Sequence, residues 1–463
     1  MRQVDSAGAG FLYGETPGWH MHVSALLVLD TTDTPGFDFD AVRELYARRL
    51  AGVPELRARL VNVPMGLDRP ALADDPTFDI DAHCHEAHLP APGTRRQLAD
   101  LVSRLVARKL DRRSPLWEAW FIDGLDDGRV ALLVKMHHAL VDGTSGMHLA
   151  SIVMDTSPTP TAAPTGERPG LAAPSTVRLG AGTARTLAAL PWRSVRFANQ
   201  FARQTVTFVR QSQRPDAPPL AFSAPRTELN RNISASRSLA MCTLSLDDIR
   251  TVKSAFGTSV NDVVLAMAGG ALRAYLVERG GLPETSLVAQ VPVSVRREDS
   301  LEEMGTQVVN MFTTLATDID TSVDRLREVA SVTSRAKDYQ RAIFADRAVA
   351  LPDLVPPFVI SVVARAFTGL GLEGRMPPLY NAIVSDVRGS PVELYVGGAR
   401  LVAMYPFGPL LLGSALNVTA LSHLDEMNIG IAATPEAVPD PWELVEHLEA
   451  ELARLLDAAR PAG

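Results

Sequence analysis

Hydrophobic and polar positions change period repeatedly along the chain, and the changes predict a mixed α/β protein. Apolar runs of strand length occupy residues 24–29, 116–125, 130–136, 237–246, 287–296 and 305–315. Three-to-four spacing predicts helices over 40–50, 95–110, 246–256, 259–275, 322–345 and 442–459. In the second of these, Leu98, Leu101, Val102 and Leu105 mark the apolar face. Asp126-Asp127-Gly128 separates two strand-like runs and predicts a hairpin. Asp142-Gly143 then breaks the chain ahead of a helical pattern over 145–154. Residues 351–372 are apolar and interrupted by Pro356 and Pro357, so they line a channel, rest on a membrane or, by default, pack in a core. Residues 401–424 carry no Asp, Glu, Lys or Arg, yet Pro406, Gly408, Pro409, Gly413 and Asn417 would break a spanning helix. Buried strands and a turn are expected there.

Length and composition add a division in two. A chain of 463 residues is long for one core. Between 156 and 176 it turns abruptly to proline, threonine and alanine, the composition of an exposed linker. The expected organisation is residues 1–155, a connecting segment 156–220, and residues 221–463. The connecting segment ends in an arginine-rich, aromatic stretch, 178–214, without an acidic residue. Arg196, Arg203 and Arg210 repeat every seven positions, close to one helical stripe. Such a helix either attaches to an anionic membrane surface or pairs with acidic patches of the protein itself. The formal net charge of -8 argues against nucleic acid as a general partner. Cys84 and Cys242 give no disulfide framework and suit a reducing cytoplasm, and the first residues lack the apolar core of a signal peptide.

Candidate chemistry centres on His137-His138-Ala139-Leu140-Val141-Asp142-Gly143 at the end of a predicted strand. A neutral imidazole held there can take a proton from a hydroxyl. A merely polar strand end and a metal site are the alternatives for the pair alone. A second cluster, His83, Cys84, His85 and His88, reads as an ordinary edge strand. Alternation puts His83 and His85 on one face and Cys84 on the other, so the three cannot converge locally. Trp117 is expected to pack under the hairpin. Asn261-Asp262 at a helix start reads as a cap.

The His-His-x-x-x-Asp-Gly spacing resembles the active-site motif of the CoA-dependent acyltransferase superfamily. Further matches narrow the resemblance to the bacterial wax ester synthase/diacylglycerol acyltransferase family. They are the stretch from Phe11 through Met21-His22-Val23, Pro115-Leu116-Trp117, Asn261-Asp262, the loop 381–391, Tyr405 to Pro409 and Leu416 to Ser422. They run in one order from about Phe11 to Leu455; the 381–391 loop departs from the family pattern at Asp386, Arg388 and Ser390.

The resemblance implies two chloramphenicol-acetyltransferase-like α/β domains with an active-site tunnel between them. It implies transfer of a fatty acyl group from acyl-CoA to diacylglycerol or to a long-chain alcohol, without cofactor or metal, at a peripheral membrane or lipid-body surface. His138 would be the general base and His137 would shape the strand end. Asp142 would pair with an arginine, Arg296 or Arg388, and Gly143 would leave room for a bound chain. Asn417, Thr419 and Ser422 are candidate donors to the tetrahedral oxyanion, with strand alternation placing Ser422 opposite the other two. The alternatives are a condensation-like enzyme making another lipid ester or amide, and a non-catalytic lipid-binding homologue.

Overall fold

The strand that carries the histidine pair lies inside a six-stranded sheet. The structure is a computed structural model. It describes residues 2–63, 67–140, 152–161, 171–173, 179–186, 188–189, 191–192, 195, 198–199, 223–294, 308–343, 357–370, 377–411 and 413–460. The first half opens with β1 (Arg2–Gln3), α1 (Ser6–Gly14), β2 (His22–Asp30) and α2 (Phe39–Leu50). It continues through β3 (Ala58–Val61), β4 (Ala71–Asp74), β5 (Cys84–His88), α3 (Arg95–Ala107), β6 (Trp117–Asp123) and β7 (Val130–His137). The second half contains β8 (Ser238–Ser245), α4 (Leu246–Phe256), α5 (Val260–Glu278), β9 (Val288–Ser294), β10 (Val308–Thr314), α6 (Ser322–Ile343) and α7 (Pro357–Gly369). It closes with β11 (Ala382–Val387), β12 (Tyr395–Val396), β13 (Ala399–Phe407), β14 (Leu416–His423), β15 (Glu426–Ala433) and α8 (Trp442–Ala459).

Strand order in the first large sheet is β12-β13-β2-β7-β6-β5, and in the second β10-β9-β11-β14-β15-β8. A small sheet, β1-β4-β3, stands apart. The hairpin expected at Asp126-Asp127-Gly128 joins β6 to β7, and Gly128 takes the left-handed conformation (φ 74°) that favours glycine. β2 is apolar on both faces because both are covered. Leu27 and Leu29 pack with Val42, Leu45 and Tyr46 of α2, while Leu26 and Val28 pack with Leu98 and Val102 of α3. The second sheet buries its outer face under α4, α5, α6 and α8.

Helix ends follow local chemistry. Thr94 and Gln97 form a reciprocal capping box on α3. Gly257 terminates α4 at φ 65°. α3 stops at Ala107, short of the expected 110, because the buried Lys135 ammonium from β7 donates to the carbonyls of Leu105 (3.1 Å) and Arg108 (2.9 Å). Glu118 completes its neutralisation at 2.9 Å. α5 is long and apolar enough to cross a membrane, but it is mostly buried within the second half's core.

The domain limits expected from sequence do not coincide with the sheets. β12 and β13 belong to the 221–463 span, yet β13 pairs antiparallel with β2, from Arg400↔Asp30 to Phe407↔Ser24. Two glycines permit this crossing: a Cβ on Gly430 would meet the Pro406 carbonyl oxygen at 1.9 Å, and one on Gly408 would meet Asn417 Nδ2 at 2.4 Å. The expected linker is mostly exposed where it is described, as its composition predicts, and it is fastened at Thr161 and Leu171 and just before its start. Arg49 donates to Asp155 Oδ2 (2.6 Å), the Ile152 carbonyl (3.0 Å) and the Thr161 carbonyl (3.2 Å). Asp155 exchanges backbone hydrogen bonds with Tyr395, and Leu171 docks on Asp74 of β4.

Candidate active site

β7 delivers His137 as its last residue and His138 as the first beyond it. Opposite them, His22 of β2 is in register with His137, and Leu116 accepts the His137 N–H through its carbonyl at 3.0 Å. The His138 N–H is held by the Met21 carbonyl at 2.7 Å. These bonds fix the backbone on which the candidate base stands. The His138 ring is half-buried and lies 4.6 Å, centroid to centroid, from the ring of Phe11 on α1.

His137 plays a different part. It is fully buried, and its Nδ1 accepts the Ala139 N–H at 2.9 Å, so the ring proton resides on Nε2. That N–H points at Glu15 Oε1, 3.1 Å away. Glu15, also buried, takes four donors: His137 Nε2 and the Met21 N–H (3.1 Å) on Oε1, and Lys109 Nζ (3.0 Å) and Arg112 Nη2 (2.5 Å) on Oε2. Burial alone would raise the Glu15 carboxyl. The His137 hydrogen bond and the Arg112 and Lys109 charges override it and hold the group well below the usual carboxylate range. Burial pushes the His137 imidazole down, against the pull of Glu15, and pushes His22 down to about 2, helped by the Lys135 charge. His22 is therefore neutral, and its Nε2 accepts the Leu110 N–H at 3.4 Å.

Glu15 is the residue that sequence reasoning missed. The stretch from Phe11 to Pro17 carried a resemblance but no stated role. Its neighbours converge only in three dimensions, on strands and loops far along the chain. Helical spacing held the one available signal: Gly8, Phe11 and Glu15 fall on one stripe of α1 and its exit. A Cβ on Gly8 would come within 3.0 Å of the Ala139 carbonyl oxygen, so glycine there lets α1 lie against the chain just beyond His138.

Asp142, Gly143 and Arg296 lie outside the described residues, as does the 145–151 part of the expected helix. Arg388 is described, and its charge opposes the upward push that burial gives the Asp386 carboxyl. Trp117 is buried beneath the hairpin, stacked on Tyr46 and His83, and its Nε1–H donates to the Leu56 carbonyl at 2.7 Å. Pro115 and Leu116 lead into that position, Leu116 buried against Leu12 and Leu110. Asp262 forms a capping box with Ser259 at the start of α5, and Asn261 is the adjoining first-turn residue.

Asn417 and Thr419 share the face of β14 turned away from the outer helices. Their polar groups bind each other: the Thr419 hydroxyl donates to Asn417 Oδ1 at 2.7 Å, and Asn417 Nδ2 donates to the Pro409 carbonyl at 3.0 Å. Ser422 sits where strand alternation predicts it. It lies on the opposite face, where its hydroxyl oxygen accepts the Gly389 N–H at 3.1 Å and fastens the 388–390 loop.

The other cluster does not converge. His83 is sandwiched between Phe78 and Trp117, His85 lies against Trp120, and His88 Nδ1 approaches Asp123 Oδ1 at 2.6 Å. Among the described residues no three His, Cys, Asp or Glu side chains are grouped as metal ligands. Cys84 and Cys242 are separate buried thiols, each pushed up to about 12 by burial. The arginine-rich stretch falls mostly outside the described residues; Trp192 within it is 81% exposed.

Comparison with known proteins is consistent across the chain. Residues 4–264 match the wax ester synthase/diacylglycerol acyltransferase catalytic domain, and residues 304–456 match the C-terminal domain of the same family. A protein of Mycobacterium tuberculosis, named as a candidate diacylglycerol O-acyltransferase, is 34% identical over 480 residues, covering 99% of this chain and 91% of that one. The structure of a wax ester synthase/diacylglycerol acyltransferase from Marinobacter aquaeolei superposes with a TM-score of 0.70 at 28% identity, covering 99% of both chains. The first condensation domain of the calcium-dependent antibiotic synthetase shares the fold, with a TM-score of 0.61 at 16% identity over 100% of this chain and 97% of that one.

Proposed function

Since the chain belongs to the wax ester synthase/diacylglycerol acyltransferase family and is an acyl-CoA-dependent acyltransferase, we propose that His138 is the general base of an O-acyl transfer to diacylglycerol. Its imidazole takes the proton of the acceptor hydroxyl as that oxygen attacks the thioester carbonyl. The tetrahedral intermediate collapses, the C–S bond breaks, and CoA leaves as the thiol with the proton that His138 returns. Triacylglycerol and free CoA are the products, with no acyl-enzyme, metal or cofactor in the path. The observation that carries this reading is the placement of His138. It is half-buried at a strand end, with its backbone held by Met21 and its ring set against Phe11.

A long-chain alcohol in place of diacylglycerol would give a wax ester by the same step. Asn417, whose amide has a second N–H beyond the one on Pro409, is the oxyanion donor better suited by its chemistry; Thr419 orients it. Both lipid substrates partition into lipid surfaces, so the protein works as a peripheral enzyme of the inner membrane face or a lipid body, with the exposed Trp192 stretch as its contact. The test supplies palmitoyl-CoA with dioleoylglycerol or hexadecanol in phospholipid vesicles and separates the lipids by chromatography. Triacylglycerol is expected. A wax ester alone would reassign the acceptor, and no ester with either would refute the acceptor class.

A further inference from the structure

The end of α1 touches both histidines, and the reaction draws only on Phe11 from it. Gly8 brings the helix against Ala139, Phe11 lies on the His138 ring, and Glu15 receives the His137 Nε2–H. The three positions form one stripe, spaced as successive turns of a helix. Glu15 has a second hold on the base through the main chain. It accepts the Met21 N–H at 3.1 Å, and the Met21 carbonyl in turn accepts the His138 N–H at 2.7 Å. Lys109 and Arg112 clamp the other carboxylate oxygen, and Arg112 also binds the Leu12 carbonyl at the end of the helix. The carboxylate thus cross-links α1, β2, β7 and the turn after α3 at the point where the strand delivers His138.

We propose that Glu15 is a positioning residue for catalysis: it locks the His137 tautomer and the Met21 main chain so that His138 is held, against Phe11, in the orientation that accepts the acceptor's proton. This rests on His138 being the base. Glu15 is buried on the far side of His137, so its loss is expected to act on turnover and not on binding. A displacement of the base by about 1 Å is enough to cost roughly 100-fold in rate.

Three substitutions test it in the full-length protein, with palmitoyl-CoA and dioleoylglycerol as substrates. Glu15→Met keeps the volume and removes the acceptor; Lys109 and Arg112 are 40% and 35% exposed, so their charges can turn to water. Its kcat is expected to fall about 100-fold with both KM values within about threefold of wild type. Glu15→Gln restores an acceptor oxygen and should recover kcat to within about tenfold of wild type. Phe11→Leu leaves the carboxylate alone and should lower kcat by about tenfold, again with KM unchanged. A folded Glu15→Met protein with wild-type kcat, or one whose loss lies in KM, overturns the proposal. If Glu15→Met does not fold, Phe11→Leu and Glu15→Gln decide: wild-type kcat in Phe11→Leu, or a Glu15→Gln protein that folds with more than about tenfold lower kcat, overturns it. His138→Ala, run alongside, separates the two readings. Its retention of turnover would remove the base assignment itself, whereas its inactivity beside an unaffected Glu15→Met would remove only the role of Glu15.

Discussion

Individual side chains here divide into those that hold the frame and those that face the chemistry. Trp117 belongs to the first group. Its indole is buried between Tyr46 and His83 and donates to the Leu56 carbonyl. Trp117→Phe keeps most of the apolar area but strands that carbonyl, so unfolding free energy should drop by about 1–3 kcal/mol while kcat per folded molecule stays near wild type. Urea titration alongside a rate measurement decides it, and unchanged stability with a large loss of kcat would make Trp117 part of the reaction. Arg49 is a sharper case, because Asp155 is buried and depends on it. Arg49→Met should cost about 3–5 kcal/mol, since it leaves a buried carboxylate with no counter-charge and only the Thr161 N–H and hydroxyl as donors. A urea midpoint equal to wild type would contradict that.

At the scale of elements, much of the architecture was legible because periodicity and capping act locally. α4 and α8 span the expected residues, and the β6–β7 hairpin turns at the Asp-Gly signal. Asn261-Asp262 shows how a family motif and a cap coincide: Asp262 accepts from both the N–H and the hydroxyl of Ser259. Asp262→Ala should therefore lower stability by about 1 kcal/mol, read by thermal or urea unfolding, with kcat little changed. A kcat loss without destabilisation would point instead to a direct part in turnover. What sequence did not disclose is long-range. The end of α3 is set by Lys135, a residue of a strand that arrives later in the chain. The return of β13 to the first sheet has no signature in its own residues, because an apolar strand reads alike wherever it pairs. The candidate base was visible through its motif, whereas the Glu15 hub is assembled by folding.

The whole molecule is two α/β halves, each with its own six-stranded sheet, and the two are packed on each other. Leu421 of β14 joins the first sheet's core beside α2, and Leu239, Met241 and Ala432 of the second sheet pack with α3 on its other face. With β13 crossing as well, the halves should unfold together in one transition. Acid should weaken that fold. Burial holds His20, His22, His83 and His137 below the ordinary imidazole value in the folded state, so these groups stay neutral while the unfolded chain takes up protons. Their stabilisation is present above the ordinary imidazole value of 6.5 and is lost as pH falls beneath it, down to about 2 for His22. Each contributes a slope of up to about 1.4 kcal/mol per pH unit. The depressed Glu15 carboxyl acts in the same direction below the ordinary glutamate value of 4.5. The urea midpoint should thus be lower at about pH 5 than at about pH 7.5, and an equal or higher midpoint in acid would contradict the buried neutral histidines.

The proposed reaction turns on one imidazole, His138, as the base that takes the acceptor's proton. Its most direct test is the rate of CoA thiol release from palmitoyl-CoA with dioleoylglycerol, compared between wild type and a folded His138→Ala protein. Loss of about 100-fold or more in kcat, with triacylglycerol absent from the products, is the predicted result. Release of CoA and triacylglycerol at a rate within a few-fold of wild type would contradict the account.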